Sequence, residues 1–259
     1  MIDIKHAHEE FRKYVSNYNP ENSRIALKIG HIERVANISR KIAESLNLSE
    51  EEIKLAELIG LFHDLGRFEQ VRIANTFSDR DSGINHGELS VKVLFENNLI
   101  RNYLKETEYD NIIKKAVLNH NRAKIEPDLS EKELLFTKII RDADKLDIFY
   151  TITFDEFLAI FWYDNFDCEK ISDKVMYQFE NGGLINYADI KNNADMLLAF
   201  YAYVYDLNFE SSLKHLAENN YLDIFKNRVK EHFTSKLVHE QVDYIHNIYK
   251  AYLKSKNID

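Results

Sequence analysis

Residues 49–67 read SEEEIKLAELIGLFHDLGR, and this stretch predicts a helix that leads into a histidine and an aspartate. Ser49 and Glu52 form a capping-box pattern, which is typical of the start of a helix. Apolar residues then recur at three- and four-residue steps, which indicates one apolar helix face. The adjacent pair His63-Asp64 stands near the end of that helix. An imidazole and a carboxylate are therefore expected side by side at a helix end.

The same apolar spacing recurs on both sides of this stretch. Gly66 is placed to end the helix that begins after Ser49, and residues 69–85 are predicted to be irregular because they are rich in Asn, Asp and Ser. The other predicted helices cover residues 24–46, 86–97, 109–120, 131–161 (as one or two segments), 192–205, 209–219, 222–233 and 237–253. Only 7 Gly and 2 Pro occur, too few for the tight turns of a sandwich or barrel. The sequence predicts an all-α fold.

Composition excludes several classes of protein. Residues 1–20 carry several charges and no apolar core segment, so we expect no signal peptide. No run of about 18 apolar residues occurs, so no membrane span is expected. Cys168 is the single cysteine, which excludes an intrachain disulfide and favours a reducing, cytoplasmic location. The net charge of −9 argues against general nucleic-acid binding.

Three further histidines lie on helix faces that are expected to be buried. His31, His86 and His120 each share a predicted face with apolar residues. A buried imidazole must satisfy its polar nitrogens, and one such histidine is usually an ordinary core residue. Three on separate helices, together with the pair His63-Asp64, are better explained by convergence on a metal ion.

A late acidic cluster, RDADKLD over residues 141–147, offers a further carboxylate. Asp142 and Asp144 are two residues apart, so on a helix they point to roughly opposite sides. At most one of them is therefore expected in the same site. Helical periodicity leaves both open, because each aligns with a set of apolar residues.

The order His31, His63-Asp64, Asp144 resembles the HD superfamily of metal-dependent phosphohydrolases. Residues 143–146 read ADKL and match the family's Ala-Asp-(Lys/Arg)-Leu pattern, which selects Asp144 over Asp142. Residues 31–35 read HIERV and match its His-x-x-Arg-Val opening. The resemblance implies an HD-domain helical bundle in which these four residues bind one metal.

The motifs cover about residues 24–150, and no linker follows them. We therefore predict an HD domain over residues 1–164 and a helical extension over residues 165–259 packed on it. The aromatic helices of the extension could serve a homodimer interface.

His86 and His120 raise the question of a second metal. In HD phosphodiesterases with two or more metals, two later histidine positions bind the second ion, and these two residues fall in that order. Asp64 would then bridge both metals. The pair His120-Asn121 stands where some of those enzymes have two histidines, so His86 and His120 could instead contact substrate phosphate.

The ligand set suits Mn²⁺, Fe²⁺, Co²⁺, Ni²⁺ or Zn²⁺. Such an ion lowers the pKa of bound water and polarises a phosphoryl oxygen, which phosphate-ester hydrolysis requires. Asp64 would bind the metal and could orient the attacking water.

Arg67 helps to choose among subfamilies. HD hydrolases of ppGpp and HD 5′-nucleotidases place an acid three residues after the His-Asp pair, where this chain has Arg67. Cyclic-dinucleotide phosphodiesterases, with His-Asp-Ile-Gly-Lys, resemble it better, although their Gly-Tyr-Pro signature is missing. Arg67 could clamp a phosphate or could be a surface residue at a helix C-terminus. The other candidate substrate contacts are Arg34, Arg80, Asn121 and Lys145.

The leading hypothesis is a metal-dependent phosphohydrolase that acts on a small phosphorylated substrate, most simply a nucleotide. One alternative is a cyclic nucleotide or dinucleotide phosphodiesterase with two metals. A non-hydrolytic nucleotide sensor and a di-iron oxygenase are the alternatives from other classes.

Overall fold

The fold consists of helices and the connections between them. The computed structural model describes residues 1–161, 163 and 165–258, and no strand occurs among them. The α-helices, in chain order from α1 to α15, are Ile4–Val15, Ser23–Ser45, Glu50–Phe62, Leu65–Ala74, Asp79–Ser82, His86–Val91, Ile100–Tyr103, Asp110–Asn119, Glu131–Phe154, Phe157–Ile160, Asp173–Glu180, Asn193–Ala202, Glu210–Glu218, Tyr221–His232 and Lys236–Ser255. A π-helical turn, Lys92–Glu96, continues α6, and short 3₁₀ turns cover Tyr187–Asp189 and Tyr203–Asp206. The predicted all-α class is confirmed.

Two local predictions around the His-Asp pair are wrong. Gly66 does not end a helix: α3 ends at Phe62, and Gly66 lies in the first turn of α4. Residues 69–85 are not irregular throughout, because α4 continues to Ala74 and α5 follows within the segment. The loop-forming residues act as caps instead. Asn75 ends α4 in the left-handed conformation, with φ of 52°, which Asn adopts more readily than most residues.

The capping box at the start of α3 forms as predicted. The Ser49 side chain accepts a hydrogen bond from the Glu52 backbone, and the Glu52 side chain accepts one from the Ser49 backbone. Besides α4 and α5, three helices had no predicted counterpart, namely α1, α7 and α11. Helix α1 buries only Ala7, Phe11 and Val15, and most of its other residues are charged or polar. The sequence therefore shows only a weak apolar pattern there.

Helices α2 and α3 approach closely at Gly60. A Cβ atom on Gly60 would lie 2.5 Å from the Ala36 Cα and 2.9 Å from its nitrogen. These distances are far below van der Waals contact, so only glycine allows the two backbones to pack at this spacing. The contact positions the C-terminal end of α3, where His63 follows.

Helices α4 and α6 approach closely at Gly66. A Cβ atom there would lie 2.5 Å from the Ser90 nitrogen and 2.6 Å from the His86 carbonyl oxygen. The Gly66 backbone N–H donates a hydrogen bond of 2.8 Å to the Ser90 hydroxyl. Gly66 therefore serves a helix–helix contact rather than a helix end.

The chain divides into two compact units, Met1–Asp144 and Lys145–Asp259. The division falls within α9 and lies before the predicted domain boundary. That boundary, after residue 164, falls on a position outside the described residues and stays a prediction. None of the described helices is long and apolar enough to cross a membrane.

The second unit is built around α12, whose ten residues are all buried. The buried Asp195 carboxylate on this helix accepts hydrogen bonds from the Ser172 N–H and hydroxyl, both 2.8 Å, and from the Lys191 N–H at 3.0 Å. The Arg228 guanidinium donates to the Ile152 and Asp155 carbonyl oxygens at 2.6 Å. These bonds close off the end of α9 within this unit.

His8 joins three helices of the first unit. Its Nδ1 lies 2.8 Å from Glu33 of α2, and its Nε2 lies 3.0 Å from Glu57 of α3. The Arg40 guanidinium also lies near Glu57, with its Nε 3.9 Å from the carboxylate. Hydrogen bonds to Glu33 and Glu57 raise the pKa of His8 to about 9. The imidazole is therefore a cation at neutral pH and attracts both carboxylates.

Replacing His8 by Gln should make the stability of the protein less dependent on pH. Folding raises the His8 pKa from 6.5 to about 9, so its stabilisation is fully present below pH 6.5 and is lost as pH rises through 9. We expect His8→Gln to lower the free energy of unfolding by roughly 1–3 kcal/mol at pH 6.5 and by much less at pH 10. Denaturant unfolding across this range measures the difference. His6→Gln is the control, because His6 bonds a backbone carbonyl, that of Asn102; equal losses at both pH values would contradict the prediction.

Replacing Gly60 by Ala should destabilise the first unit. The added methyl group must push α3 away from the Ala36 backbone, and such overpacking costs roughly 1–3 kcal/mol. Gly30→Ala on α2 is the matched control, because its new Cβ meets only the mobile end of Arg34 at 3.3 Å and improves helix propensity. Thermal unfolding should give a lower midpoint for Gly60→Ala and an unchanged or higher one for Gly30→Ala.

Candidate metal centre

Six predicted metal-ligand residues converge within the first unit. Helix α2 carries His31, and the link between α3 and α4 carries His63 and Asp64. The remaining three are His86 at the start of α6, His120 just after α8 and Asp144 on α9. The four histidines and Asp64 are buried, and the Asp144 side chain is 16% exposed. Residues that lie up to 113 positions apart in the sequence thus share one interior site.

The first group is formed by His31, His63, Asp64 and Asp144. The two Nε2 atoms of His31 and His63 lie 3.2 Å apart, and each lies 3.5 Å from Asp64 Oδ2. Asp144 Oδ1 lies 3.3 Å from His31 Nε2 and 3.8 Å from His63 Nε2. His31, His63 and Asp64 are close enough together to hold a metal ion, with Asp144 beside them.

The second group is formed by Asp64, His86 and His120. The Nε2 atoms of the two histidines lie 3.0 Å apart, and they lie 3.4 and 3.6 Å from Asp64 Oδ1. These three residues are also close enough together to hold a metal ion. One Asp64 oxygen thus faces each group, which is the arrangement expected of a bridging carboxylate.

Hydrogen bonds fix which ring nitrogen of three histidines carries the proton. His63 Nδ1 donates to the Gly60 carbonyl oxygen at 2.7 Å, and His120 Nδ1 donates to the Val117 carbonyl oxygen at 2.6 Å. A carbonyl oxygen can only accept, so both nitrogens carry hydrogen. His86 Nδ1 lies 2.7 Å from a carboxylate oxygen of Asp79 and donates in the same way. In the neutral rings, all three Nε2 atoms therefore present lone pairs to the centre of the site.

The charges of the site agree with this assignment. Burial lowers the pKa of His63 below its ordinary value and that of His86 to about 3, so both rings are neutral. Burial alone would raise the pKa of Asp64, but the Lys28 ammonium beside its carboxylate holds it well below its usual range. The site therefore contains a carboxylate anion beside the neutral imidazoles of His63 and His86.

This donor set fits a divalent transition metal. Asp64 Oδ1 is buried and accepts no hydrogen bond from any residue that the structure describes. It faces the Nε2 lone pairs of His86 and His120, so three acceptors meet with no proton between them. A bound cation would satisfy all three at once. Imidazole and carboxylate ligands suit the transition metals predicted from the sequence.

Two cations flank Asp64. Lys28 Nζ lies 2.8 Å from Asp64 Oδ2 and 5.8 Å from the centre of the Phe77 ring, and the lysine side chain is 14% exposed. Arg67 Nε lies 3.7 Å from Asp64 Oδ1, and a terminal nitrogen of Arg67 donates to Asp79, Gln70 and the Phe77 carbonyl. Arg67 lies in the first turn of α4, so its interpretation as a residue at a helix C-terminus is wrong. Its role as a phosphate clamp stays a prediction.

The remaining predicted substrate contacts have varied surroundings. Arg34 is partly buried on α2, and exposed Arg80 pairs with Asp81 at 3.2 Å. The Asn121 amide nitrogen lies 3.1 Å from Asn85 Oδ1 and 3.2 Å from His86 Nδ1. Lys145 begins the second unit and pairs there with Asp206 at 2.9 Å. Their contacts with substrate stay predictions.

Sequence reasoning missed three residues that support the site. Lys28 stands three residues before His31, a spacing that places two helical residues on one face and could have indicated it. Arg141 is buried and donates to the Asn119 and Arg122 carbonyl oxygens at 2.7 and 2.6 Å, which anchors the chain around His120. Asp79 gave no signal, because its position beside His86 depends on the path of the segment between α4 and α6.

Comparison with known proteins agrees with the geometry. Residues 29–148 match the family model of the HD domain, and this range includes all six converging residues. No curated protein and no solved structure matches the chain in these comparisons. Residues 29–148 of the chain therefore form an HD domain.

Proposed function

We propose that this protein is a metal-dependent phosphohydrolase that acts on a small phosphorylated substrate, most simply a nucleotide. One observation carries the proposal. Two imidazole nitrogens and a carboxylate oxygen that accepts no hydrogen bond from the described residues point at one another in the interior of an HD domain. HD-domain proteins are generally metal-dependent hydrolases, and this donor set fits a metal of that kind.

His31, His63, Asp64 and Asp144 would hold one ion in this proposal, and His86 and His120 would hold a second with Asp64. Support for a second ion comes from the two Asp64 oxygens. Oδ2 already receives a hydrogen bond from Lys28, whereas Oδ1 receives none from the described residues. The stronger need for a cation is thus on the side of His86 and His120. A phosphodiesterase with two metals is the second candidate function, and this asymmetry favours it.

A bound metal supplies a water of lowered pKa and polarises the phosphoryl group. The residues of the chain hold the reactants around it. Asp64 is fixed by its position at the N-terminus of α4, whose dipole favours a negative charge. It can accept a hydrogen bond from a water molecule and orient that water toward phosphorus.

Lys28 is the cation best suited to a substrate phosphate in this proposal. Its ammonium group lies beside Asp64 and is partly exposed, while its flexible stem lets it reach an anion nearby. Arg67 is less free to do so, because its guanidinium already donates to Asp79, Gln70 and the Phe77 carbonyl. We therefore assign Lys28, rather than Arg67, as the residue that binds the substrate phosphate.

Replacing Asp64 by Asn should remove metal and activity together. The change keeps the shape of the side chain but removes the charge that both histidine groups face. We expect at least about a 100-fold loss of Mn²⁺ affinity and a comparable loss of hydrolysis in a panel of phosphate monoesters and diesters. Elemental analysis and the panel assay measure the two effects.

The control for this variant is Asp173→Asn, which alters a carboxylate that is 84% exposed in the second unit. Circular dichroism establishes that each variant is folded. A folded Asp64→Asn protein with full metal content and full hydrolysis would refute the proposed function. Metal binding without hydrolysis of any ester in the wild-type protein would instead favour the sensor alternative.

Replacing Lys28 by Met should weaken substrate binding without loss of metal. Removing a cation cannot oppose the binding of another cation, so metal content should be retained. One charge-assisted hydrogen bond contributes about 1.5–3 kcal/mol, so KM and the inhibition constant of inorganic phosphate should rise at least about tenfold. Lys41→Met, an exposed position on the same helix, is the control. Unchanged phosphate inhibition in Lys28→Met would exclude this role.

A further inference from the structure

Asp79 holds His86 from outside the metal centre. One carboxylate oxygen, Oδ2, lies 2.7 Å from His86 Nδ1. The other, Oδ1, accepts hydrogen bonds from Arg67 at 2.8 Å and from the Gln70 amide at 2.9 Å. Both oxygens are therefore engaged, and the carboxylate is fixed between α4 and α6.

A second neighbour opposes Asp79 at the same ring nitrogen. The Asn121 amide nitrogen lies 3.2 Å from His86 Nδ1. Its orientation is fixed because it also donates, at 3.1 Å, to the Asn85 side-chain oxygen. That oxygen is in turn committed as the cap of α6, since it accepts the Glu88 backbone N–H at 3.0 Å. Asn121 therefore presents a donor, not an acceptor, to His86.

The two neighbours require opposite tautomers of His86. An ionised carboxylate can only accept, so Asp79 requires hydrogen on Nδ1 and leaves a lone pair on Nε2. The Asn121 donor requires a lone pair on Nδ1, which places the hydrogen on Nε2. Only the first tautomer can bind a metal through Nε2, the atom that faces Asp64 and His120.

We propose that Asp79 is a positioning residue that selects the metal-binding tautomer of His86 against Asn121, and thereby controls ion binding at Asp64, His86 and His120. The link to ion binding rests on the proposed function. His63 and His120 have no such dependence, because backbone carbonyls of their own helices fix their tautomers.

This arrangement couples the second group to a surface segment. Asp79 begins α5, a four-residue helix between α4 and α6 whose residues are not buried. Arg67 and Gln70 hold it against α4. A ligand that displaces α5 would remove Asp79 from His86, and the ring would then adopt the tautomer with hydrogen on Nε2. The position of α5 and ion binding at the second group therefore depend on each other.

The tautomer is tested first in metal-free protein, by ¹⁵N NMR of the histidine rings. In the wild type, His86 should show hydrogen on Nδ1. In Asp79→Ala, the ring should change to the tautomer with hydrogen on Nε2, while His63 and His120 keep their signals. Adding Asn121→Ala to Asp79→Ala should weaken that new preference, and Asp64 Oδ1, 3.4 Å from His86 Nε2, should sustain the remainder. Asp79→Asn, whose amide oxygen can still accept, should keep part of the wild-type population.

Ion binding is tested on the same variants by Mn²⁺ titration calorimetry and by EPR of the Mn²⁺-loaded protein. Asp79→Ala should weaken the second ion by about 10–100-fold and leave the first unchanged. The spectrum of a coupled ion pair should then give way to that of a single ion. Asp81→Ala, an exposed carboxylate in the same short helix, is the control and should match the wild type.

The outcomes separate the two proposals. A His86 ring that keeps hydrogen on Nδ1 in Asp79→Ala overturns the role of Asp79, whatever the metal content. A tautomer change with an unchanged second ion overturns the link between tautomer and metal. A wild-type protein that binds no ion at this group overturns that link together with the second ion of the proposed function, and a wild-type protein that binds ions without hydrolysing any ester refutes the proposed function alone.

Discussion

The structure of the first unit depends on the burial of one carboxylate, that of Asp64. A buried anion requires compensation by hydrogen bonds or opposite charge. Lys28 provides it at one oxygen, at 2.8 Å, and the other oxygen faces two imidazole lone pairs. The helix N-terminus behind Asp64 adds a favourable dipole. The remaining demand is for positive charge at the centre, and for this reason a metal site explains the interior better than a purely structural polar cluster does.

The ligands can meet only because the helix backbones approach closely. Glycine at residue 60 lets α3 pack against the backbone of α2, and glycine at residue 66 does the same for α4 against α6. The two residues lie on either side of the His63-Asp64 pair. Gly60 has a second role, since its carbonyl oxygen accepts the hydrogen bond that fixes the His63 tautomer. A larger residue at either position would alter the spacing of the helices and the direction of the ligands together.

The sequence predicted the helical class and most long helices, because apolar spacing and caps such as Ser49 and Glu52 are local signals. The structure brings together the six candidate ligands, which were found through the order of motifs and a family pattern. Periodicity alone left Asp142 and Asp144 open. What could not be predicted depends on nonlocal contacts. Glycine is typical of a helix end, but Gly66 lies where α4 packs against α6. Asp79 contacts His86 because of the path of the segment between α4 and α6, which no local sequence pattern indicates.

The two halves of the centre differ in how their geometry is maintained. His63 and His120 take their orientation from carbonyls three residues earlier in the chain, so helix formation itself fixes them. His86 takes its orientation from Asp79, which Arg67 and Gln70 hold in place. Yet the oxygen of Asp64 that most needs a cation is the one facing His86 and His120. The need for a cation is thus greatest at the group in which the orientation of one ligand, His86, depends on the surface helix α5. A chain of hydrogen bonds from Arg67 through Asp79 to His86 therefore links the outside of the domain to its charged interior.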